Sequence, residues 1–458
     1  MQRTFEILYY LLLFPTLFLA AYYSVLAAVA IISHKQKYKM QDDKMKFCIF
    51  VPSHNEEAVI GATVENLSKF NYSDGLYDIF FIADNCEDNT AANILKAIKS
   101  SGKHNFHLLV RNESDKSKRG KPHAMRWGIE RLEAEGGFYS KYDFFMVLDA
   151  DNFADSDLLR HINSQFLSYP ESRRPAMIQA YLDSKNKNNL IARGYYVSYR
   201  MTNGFLQLPR HKLGLTPAIG GTGFAVTTEF LKSIGGYNCT SLVEDLEFET
   251  VATMNGRTIA YNHNARIYDE KPTGLKESAV QKTRWCQGHW YIFFKYSWRL
   301  VLKMLNPKEY KLFFKRLDNL VHISSLVFML FAMLTMILPF VATIVGVTLP
   351  VSPMIYLSAP LFFFSVLIFP ISSLFDGKIT ERRRVLIDLI PNLIATAIMM
   401  LVYFYSNIIG LFHCKNQSVW RKTAHKITTI EEDNKNEKAI KDSSNAKIKA
   451  RGEISETK

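Results

Sequence analysis

Phe144-Phe145-Met146-Val147-Leu148-Asp149-Ala150-Asp151-Asn152 decides how this chain is read. Five consecutive apolar residues are too few for a helix and fit a buried strand, with polar residues marking its end. In an extended segment the carboxylates of Asp149 and Asp151 fall on one side, because side chains alternate with period two. Two such oxygen donors suit Mg²⁺ or Mn²⁺ together with phosphate oxygens. A lone D-x-D more often caps a helix or decorates a turn; its place at the end of an apolar strand favours the metal reading.

Working outward, Phe47 to Val51 forms an earlier short strand ending at Pro52-Ser53-His54-Asn55-Glu56, followed by helical periodicity from Glu56 to Lys69. Tyr77 to Ala83 is a strand ending in Asp84-Asn85, and a helix begins near Asp88. Phe106 to Val110 is another strand, and a helix opens after Gly120. Strands alternating with helices predict an α/β domain with a mainly parallel, Rossmann-like sheet and right-handed crossovers. Ligands of such sheets sit at the carboxyl ends of the strands, which brings Glu56, Asp84, Asp149 and Asp151 to one edge.

The rest of the chain is largely apolar. Ile7 to Ile32, Asn319 to Phe375 and Leu389 to His413 are long uncharged runs, each long enough to span a bilayer core of about 20 helical residues. The first is too long for the apolar region of a signal peptide and reads as an anchor. The net charge of +13 gathers at the flanks of these runs, at Lys35 to Lys46, Lys308 to Arg316 and Arg382 to Arg384. That distribution argues against nucleic acid and follows the positive-inside rule, placing the large domain in the cytoplasm of a multi-pass cell-membrane protein in contact with membrane lipids. Five cysteines scattered without C-x-x-C spacing predict neither a disulfide framework nor a zinc site.

These features divide the chain into an anchor and basic linker (1–45), an α/β domain (46–295), an interfacial amphipathic segment (296–318), membrane helices (319–414) and a basic, disordered tail (415–458). The crossings do not add up. An anchor running inward, two crossings over 319–375 and one over 389–413 leave the basic tail outside; either Leu389 to His413 is re-entrant or an earlier run does not cross.

Three further groups carry chemistry. Glu244-Asp245 precedes a helix, where acids also favour the dipole, and Asp245 is a candidate general base. Gln281 and Arg284 share a helix face beside Trp285; the arginine suits a diphosphate and the indole a sugar ring, although a Trp at a membrane boundary also serves as an anchor. Lys121 follows Gly120 at a helix start, where free amides suit a phosphate.

In order and spacing this constellation resembles glycosyltransferase family 2, in its membrane-bound exopolysaccharide branch with the cellulose, chitin and hyaluronan synthases. The resemblance runs from Val51-Pro52-Ser53-His54-Asn55-Glu56 through Ile82-Ala83-Asp84, Arg119-Gly120-Lys121, Asp149-Ala150-Asp151 and Gly221-Thr222-Gly223 to Val243-Glu244-Asp245 and Gln281-Lys282-Thr283-Arg284-Trp285. It implies a GT-A fold and inverting transfer from a UDP-sugar, UDP-glucose or UDP-N-acetylglucosamine, onto a growing β-linked polysaccharide. By the same resemblance Asp84 contacts the base, Asp149 and Asp151 the diphosphate and its Mg²⁺ or Mn²⁺, and Asp245 acts as base. Glu56, Lys121 and Glu244 belong to the substrate site; Gln281, Arg284 and Trp285 surround the diphosphate and the acceptor end, and Gly221-Thr222-Gly223 lies beside the acceptor. Arg126 replaces an Asn common in relatives, Val243-Glu244-Asp245 a Thr-Glu-Asp, and there is no cellulose-synthase-like gating loop after Trp285. Transfer to a membrane lipid is therefore an alternative to polymer synthesis with an accessory export subunit, and an inactive scaffold of the same fold is a third reading.

Overall fold

The computed structural model describes residues 2–32, 37–239, 241–349 and 389–417. Within them one sheet contains β1 (Phe47–Ser53), β2 (Tyr77–Asp84), β3 (Phe106–Arg111), β4 (Phe144–Val147), β5 (Phe153–Ala154), β6 (Met177–Ser184), β7 (Phe224–Thr227) and β8 (Ile259–Asp269). Its order is β3-β2-β1-β4-β7-β6-β8-β5. The first four strands are mutually parallel, as are β6 and β8. The short β7 runs against both β4 and β6, and β5 runs against β8.

The helices are α1 (Gln2–Ile32), α2 (Ile60–Leu67), α3 (Thr90–Ser101), α4 (Lys121–Gly136), α5 (Phe138–Lys141), α6 (Leu158–Ser168), α7 (Leu190–Met201), α8 (Leu208–Lys212), α9 (Thr228–Ser233), α10 (Glu244–Met254), α11 (Leu275–Met304), α12 (Phe313–Ile323), α13 (Ser325–Ile344) and α14 (Leu389–His413). Alternate residues of β1 face opposite layers. Phe47, Ile49 and Val51 pack with Ile60, Val64, Ile94 and Leu159, whereas Cys48 and Phe50 pack with Ala124, Met125, Ile129 and Phe248. A sheet covered on both faces explains why these strands read as continuous apolar runs.

The helix expected from Glu56 begins only at Ile60, because the residues before it serve the loop. The Glu56 amide donates to Thr90 Oγ1 at 2.7 Å. Asn55 and Asn85 sit at φ 55° and 51°, a left-handed geometry that asparagine tolerates. Asn55 Oδ1 accepts the Glu87 amide and Asn85 Oδ1 the Glu113 amide, so the two strand ends are tied into a rigid rim.

Among the described residues three helices are long and apolar enough to cross a membrane: α1, α13 and α14. The first two form an antiparallel pair, with Gln2 Nε2 donating to Thr348 O at 2.7 Å, Thr16 facing Thr335, and Phe18 against Phe328. Near the domain this pair is fastened by the Tyr22 hydroxyl, which donates to Asp318, itself 3.3 Å from Arg210 Nε. By contrast, α14 lies along the domain. Arg193 donates to Asn392 Oδ1 at 3.4 Å, Thr283 and Ser406 hydroxyls meet at 3.3 Å, and Trp290 Nε1 donates to Asn407 Oδ1 at 2.8 Å. Just past its end, Gln417 Oε1 accepts the Leu242 amide at 2.9 Å.

The amphipathic segment differs from expectation. Instead of one interfacial segment over 296–318, α11 runs on to Met304, and a short 3₁₀ stretch, Pro307–Leu312, leads into α12, which crosses the expected boundary at 318/319. Its polar side chains face the domain rather than a membrane surface. Arg316 donates to Lys303 O at 2.6 Å, and Asn319 Nδ2 and His322 Nδ1 each lie 2.8 Å from Glu249 Oε1. The other Glu249 oxygen accepts the Ile219 amide at 3.1 Å, linking α12 to the loop before Gly220. The rest of the expected second run (350–375), Arg382–Arg384 and most of the tail (418–458) lie outside the described residues.

Candidate active site

A cavity of about 1170 Å³ opens at the carboxyl ends of β1, β2 and β4. It is lined by Glu56, Asp84, Lys121, Asp149, Asp151, Gly221, Thr222, Glu244, Asp245, Gln281, Arg284 and Trp285, residues that the sequence had singled out from seven separate segments.

At one end β2 delivers Asp84, which is buried against Arg111 at 2.7 Å. Arg111 ends β3 one strand away, and its other amino nitrogen donates to Lys118 O at 2.7 Å, holding the loop before α4. Nothing in the motifs selects Arg111; the parallel register that sets it beside Asp84 is the missing information.

In the middle, β4 stops at Val147, and Asp149 to Asp151 follow in a turn rather than in the extended segment expected. Asn152 makes this turn. Its Oδ1 accepts the Asp149 amide at 3.2 Å and the Thr222 hydroxyl, while its Nδ2 donates to Asp151 Oδ1 at 3.2 Å. Lys121, at the start of α4, reaches across to Asp149 Oδ1 at 2.7 Å, Gly221 O at 2.6 Å and Glu244 Oε1 at 3.6 Å. Burial works against its charge, yet Asp149 and Glu244 outweigh it and raise its pKa above the ordinary lysine value. Asp149 is itself shifted upward, first by burial and also by the negative charge of Asp151, despite Lys121. A divalent cation between these two acids would remove that repulsion, so the donor chemistry fits one.

Asp245 opens α10 opposite the glycine loop. A Cβ at Gly221, whose φ is 75°, would come 3.1 Å from Asp245 Oδ2, so glycine leaves room for both the turn and the acid. Burial, with Glu244 beside it, pushes the Asp245 carboxyl up to about 7. That is the range in which a carboxylate can take a proton at neutral pH and hold it. Thr222 and Gly221 line the cavity, but Gly223 does not; its amide donates to Val147 O and its carbonyl accepts from Ala180, joining β7 to its neighbours.

At the far end α11 carries Gln281, Arg284 and Trp285. Gln281 Oε1 accepts the Tyr195 hydroxyl at 3.0 Å, and Arg284 Nη1 donates to Leu242 O at 3.3 Å. Tyr195 meets the Trp285 ring edge-on with centroids 6.3 Å apart. Burial lowers the Arg284 pKa, with Glu244 and Asp245 opposing, but a guanidinium stays charged in proteins. Tyr403 of α14 closes this end. Tyr195, Lys271, Lys282 and Tyr403 were not selected as site residues from sequence, although Lys282 stands inside a motif that carried the resemblance.

The family described as "Glycosyltransferase like family 2" matches residues 45–288, over half of the chain. The chain belongs to this family. The expectation of a GT-A domain flanked by apolar helices holds. Among curated relatives, a beta-monoglucosyldiacylglycerol synthase of Trichormus variabilis is 27% identical over 271 residues, 59% of this chain and 54% of the relative. A poly-beta-1,6-N-acetyl-D-glucosamine synthase of Staphylococcus aureus is 23% identical over 284 residues, 60% of this chain and 64% of the relative. The matched part is thus less than two thirds of either relative. A solved mannosyltransferase of Pyrobaculum calidifontis, in complex with GDP-Man and Mn²⁺, shares the fold with a TM-score of 0.54 at 16% identity, covering 87% of this chain and 99% of its own.

Proposed function

We propose that this glycosyltransferase transfers a sugar from a UDP-sugar, UDP-glucose or UDP-N-acetylglucosamine, with inversion, onto a growing β-linked polysaccharide at a cell membrane, with its catalytic domain in the cytoplasm. The observation that carries the reading is a single cavity in which Asp149, Asp151 and Asp245 converge with Lys121 and Arg284, and whose far wall includes Tyr403 of an apolar helix. In that arrangement Asp84 and Arg111 receive the nucleotide end, and Asp149 and Asp151 would hold Mg²⁺ or Mn²⁺. The bound cation supplies charge neutralisation on the departing phosphate. Asp245 accepts the acceptor hydroxyl proton as its oxygen bonds to the sugar C1. The C1–O bond to the diphosphate breaks with its electron pair leaving on UDP, whose charge Lys121 and Arg284 meet. A single displacement turns an α-linked donor into a β-glycoside. Trp285 and Tyr195 give the acceptor an aromatic wall.

A second reading, transfer to a membrane lipid, draws support from the same Tyr403 wall and from the glycolipid synthase among the relatives. The deciding experiment supplies the purified chain in nanodiscs with a panel of nucleotide sugars and Mg²⁺ or Mn²⁺, following UDP release and product size together. A polymer supports the first reading and a single-sugar lipid the second. No transfer and no hydrolysis with any donor refutes both.

A further inference from the structure

Lys282 is 6% exposed, yet it borders the cavity. Its ammonium stands 4.4 Å from the centre of the Trp285 ring, 4.5 Å from Tyr195 and 5.1 Å from Tyr403. Among the described residues no carboxylate and no hydrogen bond meets it. The nearby acid is already engaged, since Asp269 binds Lys271, accepts the Tyr199 hydroxyl at 3.0 Å and takes Asn152 Nδ2 at 3.4 Å. Lys271 adds a second positive charge to the same aromatic walls, 5.8 Å from Trp285 and 5.5 Å from Tyr195.

A buried lysine without an anion is disfavoured, and aromatic faces offset only part of that cost. Burial first, and then Lys271, push Lys282 down to about 7. This excess positive charge lies apart from the Lys121 and Asp149 cluster, on the side of Trp285 that meets α14. The face of α14 turned away from the domain is apolar and open, with Leu401 and Phe412 each more than two thirds exposed. An occupant of this corner therefore meets cations and aromatic rings, among them Tyr403 of the helix whose opposite face is open and apolar.

We propose that Lys282, backed by Lys271, is a subsite for the phosphate of a lipid-linked acceptor, whose sugar hydroxyl is the one that reacts. This deepens the proposed transfer reaction and rests on its placing of the acceptor at the Trp285 end. The phosphate is not consumed; it positions the acceptor and restores a paired charge to Lys282. A neutral acceptor would leave the lysine as it stands.

The test uses the full chain in phosphatidylcholine nanodiscs and two probes, a prenyl-phosphate-linked N-acetylglucosamine and the same sugar on a neutral alkyl chain. Binding is measured without donor, and UDP binding is measured separately. The wild type is expected to bind the phosphorylated probe roughly tenfold or more tightly than the neutral one. Lys282→Met is expected to lose that preference while still binding UDP, and Lys282→Arg to keep it. Equal binding of the two probes by the wild type, or a preference that survives Lys282→Met, overturns the proposal. So does inorganic phosphate binding as tightly as the lipid probe. The wild-type comparison decides even if Lys282→Met does not fold. A wild type that shows the preference but never releases UDP refutes the transfer reaction and leaves the phosphate subsite standing.

Discussion

Lys121 Nζ lies 2.7 Å from Asp149 Oδ1 and 2.6 Å from the carbonyl of Gly221, so one ammonium joins the loop after β4 to the glycine loop before β7. The two loops are far apart in sequence and adjacent in the sheet, because β7 pairs antiparallel with β4. Lys121 therefore sets the distance between the acid pair proposed for the donor and the loop facing Asp245.

Replacing Lys121 by Met, which keeps the stem and removes the charge, should lower turnover by roughly a hundredfold, since one preorganised charge at a transition state is worth about that much. Lys121→Arg should recover little, because a planar fork does not reproduce a point charge shared between a carboxylate and a carbonyl. The pair is partly exposed, so solvent screening limits the stability loss to about 1–2 kcal/mol. Steady-state kinetics with thermal melting measure both; unchanged turnover in Lys121→Met would refute the assignment.

Asp245 makes a pH prediction. Its carboxyl is raised from 3.8 to about 7, so the free enzyme holds it largely protonated below neutrality. With Asp245 as base, kcat/KM should fall about tenfold per pH unit below that point and level off above it. Asp245→Asn should keep UDP binding and lose at least roughly a hundredfold in turnover. The stability effect has the opposite sign. A carboxyl raised in the folded state contributes most below its unfolded pKa and loses that contribution as pH rises through the folded value. Asp245→Asn should therefore raise the melting temperature relative to wild type more at pH about 8 than at about 5. A flat activity profile across neutrality would exclude Asp245 as base.

Arg111 and Asp84 form a buried pair, each side chain 6% exposed. Among the described residues, removing Arg111 leaves the buried Asp84 carboxylate with only Asn85 as a hydrogen-bond partner, which should cost about 3–5 kcal/mol and loosen the nucleotide end. The double variant Arg111→Met with Asp84→Asn should cost less than the two single changes summed, as coupled partners do. Denaturant melts of the four proteins give the coupling directly; additive losses would show that the pair acts as two independent residues.

The first half of the sheet was legible because β1, β2 and β4 are buried on both sides and spell uninterrupted apolar runs. The second half was not. β6 reads Met177-Ile178-Gln179-Ala180-Tyr181-Leu182-Asp183-Ser184, and β8 carries Asn262, His263 and Asn264 in its middle. Gln179, Asn262 and His263 are buried, with partners that only tertiary structure supplies, such as Gln179 Oε1 accepting the Gly220 amide at 2.9 Å. The same holds for the site. Carboxylates at strand ends follow from topology, whereas Arg111 and Asn152 matter through register and turn geometry. The apolar run from Asn319 misled for a related reason: it holds no Asp, Glu, Lys or Arg, yet Asn319 and His322 belong to the Glu249 cluster, and α13 begins only at Ser325.

Asp151 should be the metal-sensitive residue of the pair. Asp149 shares its carboxylate with Lys121, so a cation placed between the acids depends more heavily on Asp151. Asp151→Asn should weaken UDP binding in the presence of Mn²⁺ and leave the weaker, metal-free binding nearly unchanged. Calorimetry with and without chelator separates the two, and an equal loss in both conditions would mean that Asp151 acts on folding instead.

The last prediction concerns topology, where counting runs left the basic tail on the wrong side. The α1 and α13 pair leads away from the domain, as its Gln2 and Thr348 ends show, but α14 touches the domain at both ends. Asn392 meets Arg193 near its start, and Gln417 meets Leu242 just past its finish. A helix of 25 residues crossing a bilayer would carry its two ends roughly 35 Å apart along the normal, at 1.5 Å per residue. Lying along α7 and α11 with an open apolar face, it instead suits the membrane surface, where such a helix buries one face among the acyl chains. Lys415 then remains on the catalytic side without any change to the earlier runs. Cysteines introduced at Ile390 and Lys415 should both be protected from a membrane-impermeant maleimide in intact cells and both be labelled after lysis. Labelling of Ile390→Cys alone in intact cells would establish a crossing and put the start of α14 on the outer side.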